Sequence, residues 1–334
     1  MVSVVIATPV ETELVETLRA VDSRLEVLFE PELLPPARYP SDHGGDPGWS
    51  RTPEQEERFR ALVARAEVLY GIPREEPAQL AWAIRIAPEL RFVQCTYAGA
   101  GQQVAAAELT REELDRIAFA SSSGVHATPL AEWSLFGILA FRKGLPQLQR
   151  DQRARHWAPH APVDELHGAT VLVVGLGAIG REVARLADAF GMHVLTVRRS
   201  EGDLDDLLPQ ADAVVVTLPL THETRGLIDR RRIESMRPGV VFVNVGRGAV
   251  VDEDALVDAL RSGHVRGAAL DVFAEEPLPP KSPLWELENV IVSPHTAALS
   301  SHENERIVQL FAENLRRYLA GEALLSRIDT DLFY

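Results

Sequence analysis

Short apolar runs alternate with amphipathic segments along most of the chain. The runs are rich in valine, as at 2–7 and 170–174, and short continuous runs of this kind are typical of strands buried on both faces. The segments between them, such as 129–143 and 301–319, place apolar residues on one side of a helix. This alternation predicts an α/β fold in which parallel sheets are covered by helices on both faces.

The predicted strands fall into two series. The first series is predicted at 2–7, 25–29, 67–72, 91–97 and 117–120, and the second at 170–174, 193–197, 213–218, 240–245, 267–272 and 290–293. Two helices are predicted to begin at Thr8-Pro9 and at Thr52-Pro53, since each has the sequence of a capping box with proline at the first helical position. Another helix is predicted over 77–87. The stretch 121–124 separates the two series, and 334 residues suit two domains of roughly 100–200 residues each.

Charge and cysteine content narrow the function classes. The net charge of −15 makes general binding to nucleic acid or to an anionic membrane surface unfavourable. Cys95 is the single cysteine, so no disulfide framework is expected, and its place at a strand end predicts a buried structural thiol. No basic residue precedes Arg19 and no uncharged apolar run reaches the ~18 residues of a spanning helix, so a cytoplasmic protein is expected.

A glycine-rich turn follows the first strand of the second series. Gly175, Gly177 and Gly180 form a G-x-G-x-x-G pattern between a strand and a helix, with Ala178 and Ile179 at the helix start. The first glycine permits a tight turn, the second lets a pyrophosphate approach the backbone, and the third lets helix and strand pack closely. The free N–H groups of the helix start suit phosphate binding. The pattern therefore predicts a dinucleotide site.

The residues after the next strand indicate whether NAD(H) or NADP(H) is bound. NAD-binding units carry an acidic residue at this place, where it accepts a hydrogen bond from the ribose 2′-hydroxyl. Here the strand at 193–197 is followed by Arg198, Arg199 and Ser200. Guanidinium groups and a hydroxyl favour a 2′-phosphate. The sequence therefore predicts a preference for NADP(H) over NAD(H).

Further motifs after the later strands carry a family resemblance. The stretches 218–224, 244–256, 267–278 and 293–297 each place polar residues after an apolar strand, where ligands bind in parallel sheets. Together with the glycine pattern they resemble the D-isomer-specific 2-hydroxyacid dehydrogenase family. The resemblance implies two doubly wound parallel-sheet domains, with a Rossmann nucleotide-binding domain inserted into a flavodoxin-like substrate domain. It also implies an active-site cleft between the domains and a homodimer.

The domain bounds that follow from this resemblance are specific. The substrate domain is expected over 1–123, the NAD(P)-binding domain over 124–298, and a C-terminal segment over 299–334 that returns to the substrate domain. In the linking helix the family often shows Ala-Glu-His, whereas this chain has Trp133 in place of the histidine. That tryptophan is expected to pack, or to shape the pocket or a dimer contact.

By the same resemblance Arg247, Glu276 and His295 are the catalytic trio. Chemistry supports the assignment, because reduction of a 2-oxo acid needs a proton donor and a group that holds a carboxylate. His295 can supply the proton near neutral pH, and Glu276 beside it would favour the imidazolium and fix its orientation. Arg247 can hold the carboxylate and polarise the carbonyl oxygen.

The resemblance also assigns contacts to substrate and cofactor. Tyr97 is expected to line the pocket, and the small residues after it permit backbone N–H groups to converge on the substrate carboxylate at Ala98, Gly99 and Ala100. Cofactor contacts are expected from Leu218, Pro219, Thr224, Val245, Asp271 and Ala297. Asp271 would hold the nicotinamide carboxamide, and Val245 and Ala297 would contribute backbone contacts.

These assignments predict an oxidoreductase that transfers a hydride between NAD(P)H and a small 2-oxo acid. Glyoxylate or hydroxypyruvate is the expected substrate class, and reduction the expected direction. A dinucleotide-sensing protein resembling the C-terminal-binding-protein corepressors could retain the same trio. Formate or phosphite oxidation is a further alternative, although formate dehydrogenases of the family carry glutamine where this chain has Glu276.

One long connection has no counterpart in the family pattern. The stretch 31–51 is rich in proline and glycine, and it is either functional or a surface decoration. Within it, His43 beside Asp42 and Asp46 could suggest a metal site. Such a cluster in a glycine-rich loop is more typical of solvated side chains, and no metal is expected.

Overall fold

The computed structural model describes residues 1–197 and 204–333. The strands are β1 (Val2–Ile6), β2 (Leu25–Leu28), β3 (Val68–Tyr70), β4 (Phe92–Gln94), β5 (Ala118–Ala120), β6 (Thr170–Val174), β7 (His193–Val197), β8 (Ala213–Val216), β9 (Val240–Asn244), β10 (Val265–Leu270) and β11 (Val290–Val292). The α-helices are α1 (Thr12–Arg19), α2 (Pro53–Val63), α3 (Pro77–Ile86), α4 (Gly101–Ala106), α5 (Arg111–Arg116), α6 (Ala127–Arg142), α7 (Leu145–Ala154), α8 (Ala178–Ala189), α9 (Leu204–Leu207), α10 (Arg230–Ser235), α11 (Glu253–Ser262) and α12 (Glu303–Ala320).

The chain forms two compact units. Unit 1 comprises Met1–His126 together with the chain from Leu299 onward, and unit 2 comprises Ala127–Ala298. Unit 2 is therefore inserted in the sequence of unit 1. Its first helix, α6, begins three residues after the expected boundary at 124.

Unit 1 is built on a five-stranded parallel sheet in the order β2-β1-β3-β4-β5. This is the flavodoxin-like order. All strands stay parallel, but the order in which successive strands are added reverses between β1 and β3. One face of the sheet packs on α2 and α3 through residues such as Phe59 and Ile84. The other face packs on α12, where Phe311 lies against Tyr70 with ring centroids 5.0 Å apart. The predicted amphipathic C-terminal helix therefore covers the first sheet.

Unit 2 is built on a six-stranded parallel sheet in the order β11-β10-β9-β8-β6-β7. Alternate residues of β6 face opposite layers, with Val171 and Val173 in one apolar cluster and Leu172 and Val174 in the other. Both layers are apolar, which explains why the strands appear as continuous hydrophobic runs. The order of strands reverses between β6 and β8, and the carboxyl end of such a switch point is where α/β sheets bind ligands.

Local predictions at the helix starts had different outcomes. The capping box at Thr52 is confirmed, since its side chain accepts a hydrogen bond from the Gln55 N–H at 3.2 Å and the reciprocal bond is also present. The capping box predicted at Thr8 is wrong, because α1 begins at Thr12. Thr8 instead is buried against Gly71, where a Cβ would lie 2.2 Å from the Thr8 methyl group.

Several short or polar helices were not predicted from the sequence. Helix α7 is rich in arginine and glutamine and buries none of its residues, so no continuous apolar run marks it in the sequence. Among the described residues, no helix has the length and apolar character needed to cross a membrane.

The predicted buried thiol is confirmed, because Cys95 has no exposed surface and burial raises its pKa to about 12.

Candidate active site

The glycine loop, residues 175–180, connects β6 to α8 at the switch point of unit 2. Gly175 has φ +104°, a conformation that favours glycine. A Cβ on Gly180 would lie 1.9 Å from the Gly175 carbonyl oxygen, so this position admits no side chain. By contrast, a Cβ on Gly177 would meet no atom within 4 Å among the described residues. The loop therefore packs tightly on the protein side and is open at its middle glycine.

The start of α8 offers hydrogen-bond donors at this opening. The N–H groups of Ala178, Ile179 and Gly180 precede the first intrahelical bond, in which the Arg181 N–H donates to the Gly177 carbonyl at 3.0 Å. Thr217 after β8 braces the loop by donating its hydroxyl to the Gly175 carbonyl at 2.7 Å. Free N–H groups at a helix N-terminus beside an open glycine fit a dinucleotide pyrophosphate.

The other predicted cofactor residues surround this loop in different ways. Leu218 lies against Gly175, and the Val245 N–H donates to a carbonyl of β8. The Thr224 hydroxyl donates to the Pro219 carbonyl at 2.6 Å and accepts from a backbone N–H, so it fixes the 218–224 loop. The predicted 2′-phosphate residues Arg198, Arg199 and Ser200 lie outside the described residues.

Two members of the catalytic trio are in direct contact. His295 Nδ1 lies 2.7 Å from Glu276 Oε2, with both side chains part-exposed. The second carboxylate oxygen, Oε1, accepts a hydrogen bond from the Phe273 N–H at 3.0 Å. The carboxylate is therefore held at both oxygens, and Nε2 is the imidazole nitrogen that points away from this pair.

The third member of the trio lies at the end of β9. The Arg247 guanidinium donates to the Gly246 carbonyl at 2.7 Å, and the Asn244 amide donates to the Arg247 carbonyl at 3.2 Å. Gly248 packs on the neighbouring loop, because a Cβ there would lie 1.8 Å from the Phe273 carbonyl carbon. This contact ties the arginine loop to the loop that carries Glu276.

Asp271 has a positioning role that sequence reasoning missed. Its Oδ1 accepts hydrogen bonds from the N–H groups of Thr296 and Ala297, both at 2.9 Å, and its carbonyl accepts one from the His295 N–H at 3.0 Å. His295 has φ +58°, which is strained for a residue other than glycine. Asp271 therefore holds the tight turn that presents the histidine.

The Asp271 side chain is almost completely buried, since the residue is 1% exposed. Burial raises the pKa of its carboxyl above the ordinary value, and hydrogen bonds from Ser293 and from the backbone N–H groups oppose that rise. Its predicted contact with a nicotinamide carboxamide would add to this anchoring role.

In unit 1, the predicted carboxylate loop, residues 97–100, follows β4. Ala98 and Gly99 are exposed, whereas Ala100 is buried. Among the described residues, none of the N–H groups of these three residues donates a hydrogen bond to another group. Open donors on small residues suit the binding of an anion.

Glu75 lies beside this loop, at a place that no local sequence pattern signals. Its carboxylate accepts hydrogen bonds from the Tyr97 hydroxyl and from the Thr96 hydroxyl, the latter at 3.3 Å. Burial raises its pKa to about 7, and these two bonds oppose the rise. The nearest sequence signal is indirect, since Glu75 follows β3, the strand beside β4.

The connection at 31–51 is folded onto unit 1. Asp42 forms a two-point ion pair with Arg38, with distances of 2.7 and 3.0 Å. The expectation of solvated side chains is wrong for His43 and Asp42, which are 2% and 4% exposed. Burial lowers the pKa of His43 to about 4. The prolines and glycines therefore allow the segment to fold compactly. Gly45, for example, takes φ +67° where it packs against Pro35.

Trp133 packs on the apolar core of unit 2, in agreement with the packing interpretation.

Among the described residues, no group of three or more histidine, cysteine or acidic side chains is arranged to hold a metal ion.

Comparisons with known proteins agree with the fold. A family model described as "D-isomer specific 2-hydroxyacid dehydrogenase, NAD binding domain" matches residues 135–297. A D-3-phosphoglycerate dehydrogenase of Mycobacterium leprae is 37% identical over 288 residues, which cover 82% of this chain and 54% of that protein. This chain therefore spans about half the length of that relative.

Two further proteins match over most of their length. A glyoxylate reductase of Thermofilum pendens is 33% identical over 81% of this chain and 83% of its own. A crystal structure of a D-isomer-specific 2-hydroxyacid dehydrogenase of Xanthobacter autotrophicus, in complex with NADPH and MES, is 30% identical. It superposes with a TM-score of 0.73 and 99% coverage of both chains.

Proposed function

Because this chain belongs to the D-isomer-specific 2-hydroxyacid dehydrogenase family, we propose that it transfers a hydride between NAD(P)H and a small 2-oxo acid. The product of reduction is a D-2-hydroxy acid. One observation carries the proposal: the imidazole of His295 is held 2.7 Å from Glu276 by a turn that a buried aspartate anchors.

The site residues of unit 2 share one edge of one sheet. The glycine loop follows β6, Arg247 follows β9, Glu276 follows β10 and His295 follows β11. All four strands are parallel, so their carboxyl ends meet at the same edge. This arrangement supports a dinucleotide and a reacting carbonyl bound at that edge.

The bound dinucleotide supplies the hydride that reaches C2 of the substrate. The glycine loop holds the pyrophosphate through the open N–H groups at the start of α8. Arg247 attracts the substrate carboxylate and polarises the 2-oxo oxygen as negative charge develops there. This polarisation makes C2 more receptive to the hydride.

His295 transfers the proton. Nδ1 faces the Glu276 carboxylate, so the imidazolium is favoured and Nε2 is free to protonate the 2-oxo oxygen. In the oxidative direction the neutral ring takes this proton back. Asp271 acts through the backbone of the histidine turn and touches no reacting atom in this scheme.

NADP(H) is the preferred dinucleotide in this proposal. The described chain of β7 ends at Val197, directly before the Arg-Arg-Ser stretch that replaces the acidic ribose ligand. The Xanthobacter structure of the same fold was solved with NADPH. Guanidinium groups at this place would pair with the 2′-phosphate.

Glyoxylate and hydroxypyruvate are the proposed substrates. A similar protein is named a glyoxylate reductase, and the carboxylate loop consists of small residues after Tyr97. Reduction is the proposed direction, because an NADP-type site suits reductive chemistry.

A homodimer and a cytoplasmic location complete the proposal. Phe136 on α6, Leu148 on α7 and Trp157 expose 47%, 58% and 92% of their surface, and these side chains are the proposed contacts to a second copy. Light scattering at micromolar concentration should therefore give twice the chain mass of 36.8 kDa.

The proposed cytoplasmic location is supported by the lone buried cysteine, which suits a reducing compartment.

A panel of 2-oxo acids assayed with NADPH and with NADH tests the activity. We expect loss of absorbance at the nicotinamide band with glyoxylate and hydroxypyruvate, and a higher kcat/KM with NADPH. The double variant Arg198→Ala/Arg199→Ala should lose the NADPH preference, whereas Arg153→Ala, an exposed arginine of α7, should keep it. Binding of NADPH without turnover of any 2-oxo acid would favour the dinucleotide-sensing alternative.

A further inference from the structure

Glu75 is fixed against the carboxylate loop of unit 1. The Tyr97 and Thr96 hydroxyls donate to its carboxylate, and the Gln103 amide donates to its backbone carbonyl at 3.1 Å. The carboxylate is therefore bonded to the side chains of Thr96 and Tyr97, the two residues directly before Ala98, where the proposed carboxylate cradle begins. Strands β3 and β4, which carry the two loops, are adjacent in the sheet, so this proximity is built into the topology.

The position of Glu75 is also constrained from the other side. A Cβ built on Gly44 would lie 3.3 Å from Glu75 Oε2, so the 31–51 segment closes over the carboxylate. Arg74 and Glu75 have φ +53° and +59°, although neither is glycine. Backbone strain of this kind persists only where the surrounding contacts enforce it, and it concentrates at functional sites.

The carboxylate has no cation to balance it. Within the described part of the chain, no ion pair includes Glu75. The neighbouring guanidinium of Arg74 donates to the Trp49 carbonyl at 2.5 Å, and that of Arg38 is taken by Asp42. A second anion brought to this place would therefore meet an uncompensated acidic group in a part-buried setting.

We propose that Glu75 is a specificity-determining residue, which excludes 2-oxo acids carrying a second anionic group at C3 and admits those with a hydrogen or a hydroxyl there. The inference rests on the proposed function. The substrate carboxylate occupies the N–H groups of the carboxylate loop, so the C3 substituent is what Glu75 meets. A hydroxyl donates a hydrogen bond to it, whereas a phosphate or sulfonate is repelled.

This assignment separates the chain from relatives of similar sequence. The Mycobacterium leprae relative is named for a substrate with a phosphate group on the C3 oxygen. Under the proposal, the corresponding 2-oxo acid, 3-phosphohydroxypyruvate, is a poor substrate of this protein. Hydroxypyruvate differs from it only in that phosphate, so the two form a matched pair.

The test compares wild type, Glu75→Gln and Glu76→Gln on glyoxylate, hydroxypyruvate, sulfopyruvate and 3-phosphohydroxypyruvate with saturating NADPH. Glu76 is the adjacent, exposed carboxylate and serves as the matched control. The readout is the ratio of kcat/KM for sulfopyruvate to that for hydroxypyruvate, which does not depend on the amount of active enzyme. We expect Glu75→Gln to raise this ratio about tenfold or more, and Glu76→Gln to leave it unchanged.

The pH dependence of the wild type provides a second measurement, which needs no variant. The sulfonate stays ionised throughout, whereas Glu75 loses its proton near pH 7. Asp42 from the 31–51 segment and Glu303 at the start of α12 face the same carboxyl and add to its raised pKa, while Tyr97 opposes it. The ratio should therefore fall as the pH rises from 6 to 8, and it should be flat in Glu75→Gln.

Three results would overturn the inference. They are equal use of sulfopyruvate and hydroxypyruvate by the wild type, an unchanged ratio in Glu75→Gln, or an equal change in Glu76→Gln. If Glu75→Gln does not fold, a wild-type ratio that is flat with pH has the same force. If the wild type reduces none of the four acids, the proposed function fails as well, and that outcome is distinct from loss of discrimination alone.

Discussion

The two parallel sheets present their carboxyl ends in different ways. In unit 2, the loops after β9, β10 and β11 are tied together by backbone contacts, as where Gly248 packs on Phe273 and where the His295 N–H donates to the Asp271 carbonyl. In unit 1, the loop after β3 packs against the 31–51 segment, in which Asp42 and His43 are buried. Under the proposals above, unit 2 carries the proton and hydride chemistry, while unit 1 carries substrate selection.

The largest expected effect concerns the unit 2 edge. His295→Ala removes the proposed proton donor, so kcat with glyoxylate should fall about 10²–10⁴-fold, whereas NADPH binding should be retained. Steady-state kinetics together with a fluorescence titration of NADPH measure both quantities. His302→Ala, an exposed histidine at the start of α12, is the control. Retention of most of the turnover in His295→Ala would remove the central role given to unit 2.

The second prediction concerns the buried histidine of unit 1. His43 has a pKa of about 4 in the folded protein against 6.5 for an ordinary histidine. As the pH falls from 6.5 towards 4, the unfolded chain takes up a proton that the folded chain does not bind. Stability should therefore fall, by up to roughly 3 kcal/mol for this group.

This effect is best measured as a difference between variants. Glu75 has a raised pKa and so titrates with the opposite sign over part of this range. Hydrogen exchange in β1 and β3 should show a smaller loss of protection towards low pH in His43→Leu than in the wild type. His160→Gln, an exposed histidine, should behave as the wild type does. Identical pH slopes in His43→Leu and the wild type would contradict the account of the 31–51 segment.

The third prediction separates packing from ligand contact in the glycine loop. Gly180→Ala forces a Cβ against the Gly175 carbonyl and should destabilise unit 2 by about 1–3 kcal/mol. Gly177→Ala places its Cβ in open space, so it should leave stability nearly unchanged but weaken NADPH binding. Thermal unfolding and NADPH titration of both variants test this. Equal losses of stability would show that the open side of the loop has been misassigned.

The smallest of these effects concerns the anchor of the histidine turn. Asp271→Ala removes the acceptor of the Thr296 and Ala297 N–H groups, so the turn that presents His295 should loosen. We expect kcat to fall about tenfold, up to ~10²-fold, with a smaller change in KM. A pH–rate profile with an unchanged shape and lower amplitude would indicate misplacement of the histidine. A change in the KM for NADPH alone, with kcat unchanged, would instead favour the predicted contact of Asp271 with the cofactor.

The sequence specified unit 2 more fully than unit 1. The bounds of β6 and β7 match the predictions, because both are unbroken apolar strands followed by a recognisable turn. The pairing of His295 with Glu276 was expected from their motifs and is confirmed at 2.7 Å. In these places the local pattern and the tertiary structure agree.

In unit 1 the decisive features come from tertiary packing. Thr8 has the sequence of a helix cap, but its side chain packs against Gly71 on the neighbouring loop. His43 lies in a glycine-rich stretch typical of solvated loops and is nevertheless buried. The contact of Glu75 with Tyr97 joins residues that are 22 positions apart, and no local pattern signals it.

The chirality of the product shows whether this protein reduces a 2-oxo acid to a D-2-hydroxy acid. Purified protein is incubated with NADPH and hydroxypyruvate, and glycerate is resolved by chiral chromatography while NADPH is followed by absorbance. We expect D-glycerate as the product, formed in equal amount to the NADPH consumed. Formation of L-glycerate, or no consumption of NADPH above the rate of His295→Ala, would contradict it.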